Sequence, residues 1–365
     1  MSTPGSRSPS LLDLTPDEAR EVLRAFVEAE GTPPYRVEQI HRRLWRQPVA
    51  SWEAALELPT ALRARLTALH PLPRLTLRSE QVSTDGTRKF LFALADGQTI
   101  ETVAIPDGER MTFCISSQAG CALRCAFCAT GTMGFVRNLT PFEIAGQVRE
   151  LALLPSPILP TNIVFMGMGE PLLNWPSVST ALSILNAPDG LGIGARHITI
   201  STVGILPGIQ ALQARPEQFR LALSIHAPDE ALRRELMPVN LKYPLAEVIA
   251  AAAAFDRRVT FEYVMLGGVN DAMSHADALA ELARACRAFV NLIPLHPGGA
   301  LGFTPSTPEA IARFARRLRA AGVETAVRKS RGKDIAAACG QLRVENLRRR
   351  AKGPTDHDRE VEIAG

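Results

Sequence analysis

Cys121, Cys125 and Cys128 fall at C-x3-C-x2-C spacing in a chain with only 6 cysteines among 365 residues. At that frequency such a triplet arises by chance on the order of once in a thousand chains, so it asks for a chemical reason. Separate buried thiols are the ordinary fate of cysteine. A structural zinc is a second option. It takes four nitrogen or sulfur ligands, and no second closely spaced pair lies nearby, so Cys114, His226 or His296 would have to complete the set. Three thiolates with an open fourth position suit iron–sulfur better. Soft thiolates bind it well, and a 4Fe–4S cube held by three cysteines leaves one iron for an exogenous ligand.

The scarcity of cysteine excludes a disulfide scaffold. With 46% hydrophobic and 21% charged residues, the chain has an ordinary globular balance, long enough for a large domain and a smaller one. No run of about 18 apolar residues predicts a membrane helix. Met1 to Pro9 is rich in Ser and Pro and lacks the apolar stretch of a signal peptide. A cytoplasmic location is expected, where thiols stay reduced. The net charge of +4 conceals a strong asymmetry. Arg313 to Lys352 carries 13 basic against 3 acidic residues, while Gly353 to Gly365 carries 1 against 4. The basic segment suggests a polyanion contact, and nucleic acid is the natural one.

The elements that must position these residues are legible in outline. Thr15-Pro16-Asp17-Glu18 is a capping box with proline at the first helical position. Further helices are expected over Arg36–Arg46 and Pro59–Leu69. Short strands follow at Arg74–Gln81, Lys89–Ala95 and Thr99–Ile105, separated by the hairpin signals Asp85-Gly86 and Asp96-Gly97. From Thr112 onward strands and helices alternate: strands at Thr112–Ser116, Asn162–Met166, His197–Thr202, Arg220–Ile225, Val259–Met265, Phe289–Pro294 and Val323–Arg328. Helices are expected at Pro141–Leu153, Pro244–Phe255 and His275–Ala288. Repeated βα units predict a parallel sheet.

The cysteine motif, with Phe127 before its last cysteine, resembles the radical S-adenosylmethionine (SAM) superfamily. The longer strings resemble the RlmN/Cfr family of RNA adenine methyltransferases. They are Cys114-Ile-Ser-Ser-Gln-Ala-Gly-Cys121, Phe165-Met-Gly-Met-Gly-Glu-Pro-Leu-Leu-Asn174, Ile198-Thr-Ile-Ser-Thr-Val-Gly204, Leu221-Ala-Leu-Ser-Ile-His-Ala-Pro228, and Arg328-Lys-Ser-Arg-Gly-Lys-Asp-Ile through Cys339-Gly-Gln-Leu342. The likeness runs over roughly residues 15–345. It implies an α/β fold, a partial (βα)6 radical-SAM barrel with a small N-terminal helical domain and a short antiparallel β extension. The expected division is residues 1–72 as an RNA-binding helical accessory domain, 73–110 as the β linker, 111–345 as the partial barrel and 346–365 as a flexible tail.

The same resemblance implies residue roles. Cys121, Cys125 and Cys128 would hold one 4Fe–4S cluster, and SAM would chelate its free iron. Gly169, Glu170, Ser201, Ser224, Ile225, His226 and His296 would contact SAM; His296 stands where many family members carry Asn. Cys339 would carry the methyl group as S-methylcysteine. Cys114 would resolve the protein–RNA adduct and end in a transient disulfide with Cys339. Glu101 matches an acidic position assigned as proton acceptor, although a strand glutamate ordinarily faces solvent. Cys286, inside a helix, matches no motif and reads as structural. Arg42, Arg43 and Arg46 beside Trp45 suit either an RNA contact or simple packing, and Arg328, Lys329, Arg331 and Lys333 could neutralise phosphates.

The implied activity is methylation of adenine C2 in 23S ribosomal RNA and in transfer RNA beside the anticodon, using two SAM molecules. The implied partners are those RNAs and an electron donor such as flavodoxin, with no membrane and a monomeric chain. Two rivals stand beside it: a Cfr-type adenine-C8 methyltransferase, and a zinc-stabilised RNA-binding protein without catalysis.

Overall fold

The computed structural model describes residues 10–295, 302–329, 331–335 and 337. His296, Cys339, the 1–9 leader and the 346–365 tail lie outside the described residues. Three helices open the chain: α1 (Pro16–Ala29), α2 (Arg36–Arg42) and α3 (Thr60–Leu69). The capping box is present as expected: Thr15 accepts from the Glu18 amide while Glu18 reaches back to the Thr15 backbone. Helix α2 stops four residues short of the expected end, because the chain turns there to bury Leu44 and Trp45.

Strands β1 (Thr76–Val82), β2 (Arg88–Ala93), β3 (Thr99–Asp107) and β4 (Arg110–Cys114) follow. A small hairpin, β5 (Gln118–Gly120) with β6 (Phe135–Asn138), encloses the one-turn α4 (Ala129–Thr132). Then come α5 (Pro141–Ala152), β7 (Asn162–Phe165), α6 (Trp175–Asn186), β8 (Ile198–Thr202) and α7 (Leu206–Gln213). The chain continues through β9 (Arg220–Ser224), α8 (Glu230–Leu236), α9 (Leu245–Ala254) and β10 (Val259–Met265). It closes with α10 (Met273–Ala285), β11 (Phe289–Pro294), α11 (Pro308–Ala320) and β12 (Thr325–Val327).

Ten strands form one mixed sheet in the order β1-β2-β3-β4-β7-β8-β9-β10-β11-β12. The first three pairings are antiparallel, and every pairing from β4 to β12 is parallel. Seven parallel strands are described, one at each of the seven strand positions expected from Thr112 onward, and the short β12 joins the edge through Val290 opposite Thr325. The described sheet is open, with β1 and β12 at its edges. The antiparallel extension is continuous with the barrel sheet through β3 and β4. Parallel strands are buried on both faces and so read as apolar runs, as Leu221-Ala222-Leu223 does. Edge strand β1 is exposed along most of its length and carries Arg78 and Glu80, which discourages pairing with another chain.

The helical segment is stitched to the barrel at α5. Arg149 is fully buried; its Nε donates to the Leu44 carbonyl at 2.9 Å and its Nη2 to the Val49 carbonyl at 2.6 Å. Its neighbour Glu150 takes a forked pair of bonds from Arg74. Asp13 accepts from the Phe142 amide at 3.0 Å in the first turn of α5, and Arg20 reaches Asp189. Removing a buried guanidinium strands its partners in a dry interface. Arg149→Ala is expected to cost about 3 kcal/mol, read as a lowered urea midpoint.

No helix among the described residues is long and apolar enough to cross a membrane.

Candidate active site

A cavity of about 200 Å³ opens at the C-terminal ends of the parallel strands. Each of these strands contributes: Cys114 from β4, Met166, Gly167, Gly169 and Glu170 after β7, Ser201 and Thr202 from β8, Ser224 from β9, Glu262 and Val264 from β10, Ile293 from β11 and Arg328 after β12. That edge is where α/β sheets place their ligands. Cys121, Cys125 and Cys128 line the same cavity, as do Gly169, Glu170 and His226.

The loop bearing the three thiols is fixed at both ends. The Cys121 amide donates to the Gly134 carbonyl at 2.9 Å, closing the β5–β6 hairpin. Gly120 has φ +78°, and a Cβ there would sit 2.0 Å from the Gly134 oxygen, so only glycine permits this closure. In the middle, the Ala126 amide donates to the Leu236 carbonyl at 2.9 Å, tying the loop to α8. Burial pushes the Cys121 thiol up to about 11, and burial pushes the Cys125 thiol higher still. Such thiols stay protonated in an empty pocket, and a bound cation is what draws out the thiolate.

The donor set fits a cluster. Among the described residues no three His, Cys, Asp or Glu are grouped as a single metal ion requires. A four-iron cube instead spreads its cysteines over three separate irons, and these three thiols face one shared cavity.

Glu170 is buried, with Oε1 accepting from the Leu172 amide at 3.1 Å and Oε2 from the Val203 amide at 3.0 Å. It thereby locks the β7 loop to the β8 loop. Burial holds its carboxyl up at about 7 against those bonds. Gly169 has φ +97°, and a Cβ there would meet the Gln118 side chain at 2.4 Å. His226 occupies the left-handed region at φ 55°. Its Nδ1 accepts from the Val264 amide at 3.0 Å, so the ring proton sits on Nε2. Burial, with the Arg233 guanidinium adding to it, pushes the His226 ring down to about 3, so it stays neutral. The Phe127 ring stands edge-on to it at 4.5 Å between centroids.

Two expected residues are not on the cavity wall. Ile225 is fully buried and contributes backbone bonds, its amide donating to the Glu262 carbonyl at 3.0 Å. Glu101 is also off the wall and, against the solvent-facing expectation for a strand glutamate, is 2% exposed, with Lys89 Nζ 3.9 Å away. Trp45 is 1% exposed and Arg43 pairs with Glu57, so packing accounts for both of these residues in the turn after α2. Cys286 is buried, its Sγ 3.5 Å from the Ile249 carbonyl, as a structural residue would be.

Sequence reasoning missed Glu262. It is buried, lines the cavity and accepts from Asn291 Nδ2 at 2.9 Å; burial pushes its carboxyl up, and Arg328 acts against that. The signal was available: a lone acid in the apolar strand Val259-Thr-Phe-Glu-Tyr-Val-Met265.

The segment leading toward Cys339 is held by the β1–β2 turn. The Gly332 amide donates to Asp85 Oδ2 at 2.9 Å, Ser83 Oγ to Asp334 Oδ1 at 2.5 Å, and the Thr84 amide to Asp334 Oδ2 at 3.0 Å. Arg331 pairs with Asp107 at 3.1 Å. Ala337, two residues before Cys339, lines the cavity. Burial pushes the Asp85 carboxyl up, but the bonds from Gly332, Thr87 and Ser83 outweigh it and hold it at about 2. The docking is therefore complete above the ordinary value of 3.8 and is lost as pH falls toward 2. Asp85→Ala is expected to speed hydrogen exchange at the Gly332 amide roughly tenfold at neutral pH.

A sequence profile described as the Radical SAM superfamily matches residues 115–283. The chain is 67% identical to a "Probable dual-specificity RNA methyltransferase RlmN" of Gemmatimonas aurantiaca, covering 98% of this chain and 99% of the relative. It is 44% identical to a "Dual-specificity RNA methyltransferase RlmN" of Anaeromyxobacter dehalogenans, with 97% of each covered. Among solved structures, a radical SAM methyltransferase from Sphaerobacter thermophilus superimposes with a TM-score of 0.85 at 46% identity, covering 92% of this chain and 99% of that one. Identity of this extent, sustained from the helical segment through the barrel, is that of a family member, and the chain belongs to the RlmN family of radical SAM enzymes.

Proposed function

We propose that the chain methylates C2 of adenine in 23S ribosomal RNA and in transfer RNA beside the anticodon, with Cys339 as methyl carrier. The observation that supports this best is the shared cavity. Cys114, the thiol triplet and Ala337, two residues ahead of Cys339, all line it. Cys121, Cys125 and Cys128 hold the 4Fe–4S cluster. Gly169, Glu170, Ser201, Ser224, the Ile225 backbone and His226 hold SAM, with His296 completing the set. When bound, cluster and SAM supply one-electron chemistry that generates an adenosyl radical.

The chain's own residues do the rest. Adenine C2 is electron-poor and does not attack a methyl cation equivalent, so the methyl group travels on a protein sulfur. The Cys339 thiol gives up its proton and takes the methyl from one SAM as a thioether; one hydrogen atom of that S-methyl would pass to the adenosyl radical of a second SAM, and the methylene left on the sulfur bonds to C2, which gives up its proton and one electron. Cys114 breaks that link: its sulfur bonds to the Cys339 sulfur, the carbon–sulfur bond breaks with its electron pair going to the methylene carbon, and the proton Cys114 gives up completes the methyl group there, while Glu101 takes the proton released from C2. The neutral Nε2–H of His226 donates a hydrogen bond within the cavity, and apolar walls such as Ile105, Phe165 and Leu295 exclude water. Arg328 and Arg331 meet RNA phosphate at the mouth. The target base leaves its stack to enter. A donor such as flavodoxin supplies the electron, and the chain acts as a monomer in the cytoplasm.

Mass spectrometry of RNA and protein after reaction with deuterium-labelled SAM methyl tests the reading. Label on adenine C2 and on the Cys339 peptide is expected. Finding 8-methyladenine alone would overturn it, as would colourless zinc protein after anaerobic reconstitution with iron and sulfide.

A further inference from the structure

Arg233 is a charged side chain with no part in the scheme above. It lies on α8, is 0% exposed, and stands immediately behind the cavity wall. Its Nη2 donates to the carbonyl of Val203, a wall residue, at 2.6 Å, and its Nη1 to Asn240 Oδ1 at 2.5 Å. Its Nε has no partner among the described residues. The last turn of the same helix holds the cysteine loop, through the Leu236 carbonyl and the Ala126 amide. A buried guanidinium with one unmet donor is expensive unless an anion compensates it. The acid reaching into its network is Glu230, whose Oε2 accepts from Asn240 Nδ2 at 2.5 Å. That acid is half-buried, one residue removed, and does not touch Arg233 directly.

Glu230 compensates part of that charge, and on the other side of Arg233 lies the cavity whose wall Val203 and Cys125 share. Leu236, three residues on from Arg233, carries the carbonyl that holds Ala126, the residue next to Cys125. Burial lowers Arg233 to about 10, which leaves it charged at neutral pH. A cluster on three thiolates is anionic, and uptake of one electron makes it more so. A fixed cation in a low-dielectric wall stabilises the more negative state.

We propose that Arg233 raises the reduction potential of the cluster held by Cys121, Cys125 and Cys128, making one-electron reduction accessible to a biological donor. This rests on the cluster reading given above. Arg233 acts through its charge on Cys125 and is a tuning residue, in contact with neither substrate nor SAM.

The test is a mediated redox titration of the reconstituted protein followed by electron paramagnetic resonance. Arg233→Gln is expected to cut the reduced-to-oxidised ratio at a given potential by about tenfold, a 59 mV fall for one electron. Arg233→Lys, which keeps the charge, should retain most of the ratio. Glu230→Gln removes the opposing charge and should move the potential upward. Equal falls in both arginine variants would make the residue merely structural and overturn the proposal. So would a Glu230→Gln potential that is unmoved or lower, a result available even if Arg233→Gln does not fold. Wild-type protein that takes up no iron would sink the cluster reading itself, which the iron count separates from a failure of the charge argument.

Discussion

Cys339→Ala protein, reconstituted anaerobically, is expected to hold as much iron as the parent and to cleave SAM on reduction, yet to methylate RNA at least ~10³-fold more slowly. The magnitude follows from removing a covalent carrier whose alternative, direct attack by an electron-poor ring carbon, has no feasible path. The companion variant separates carrier from resolver. Cys114→Ala retains the carrier and loses the thiol that breaks the link, so denaturing gels should show protein bound to RNA through a nuclease-resistant nucleotide. The adduct should be absent when both residues are replaced. Full methylation by Cys339→Ala, measured as 2-methyladenosine per RNA, would remove the methyl-carrier role while leaving the fold and cluster untouched.

The second large effect is at Cys125. Its replacement by alanine is expected to abolish the brown colour, the iron content of about four per chain and SAM cleavage together. Stability should fall only modestly, because the change removes one small buried sulfur from a loop still tied by Gly134 and Leu236. Iron uptake at the parent level, assayed by colorimetry and absorbance, would contradict the assignment. The same measurement on Cys286→Ala is the control: that thiol sits against Ile249, away from the cavity, and its loss should leave iron unchanged.

Much of this was readable from residues alone, and for physical reasons. Helices α1 and α5 both announce themselves by Thr-Pro-x-Glu, which satisfies the first amides of a helix by local geometry. The parallel strands are legible because burial on two faces demands apolar runs. The β5–β6 hairpin was not, since three residues are too few to show alternation and its closure depends on Gly120 meeting Gly134, a contact across the thiol loop. The burial of Glu101 was not legible, because a strand's polar residue faces water only if that face is uncovered, and Lys89 on the neighbouring strand is invisible until register is known. Arg233 is the sharpest case. In Leu232-Arg233-Arg234-Glu235 nothing separates the buried arginine from its exposed neighbour except helix phase and what packs beneath. Glu262 differs, because an acid in an apolar strand is itself a signal.

The anchoring of the first seventy residues bears on how the enzyme can be taken apart. Arg149 and Asp13 reach across the seam from opposite sides, and in both cases α5 donates: Arg149 to the Leu44 and Val49 carbonyls, and the Phe142 amide to Asp13. The seam lacks the slack of a tether, and Leu23, Trp45 and Trp52 sit in the same unbroken apolar interior as the barrel helices. A gene cut at residue 72 would yield two halves with raw surfaces, neither modular. Any RNA preference residing in the helices can therefore be transplanted between relatives only together with the helix that receives them.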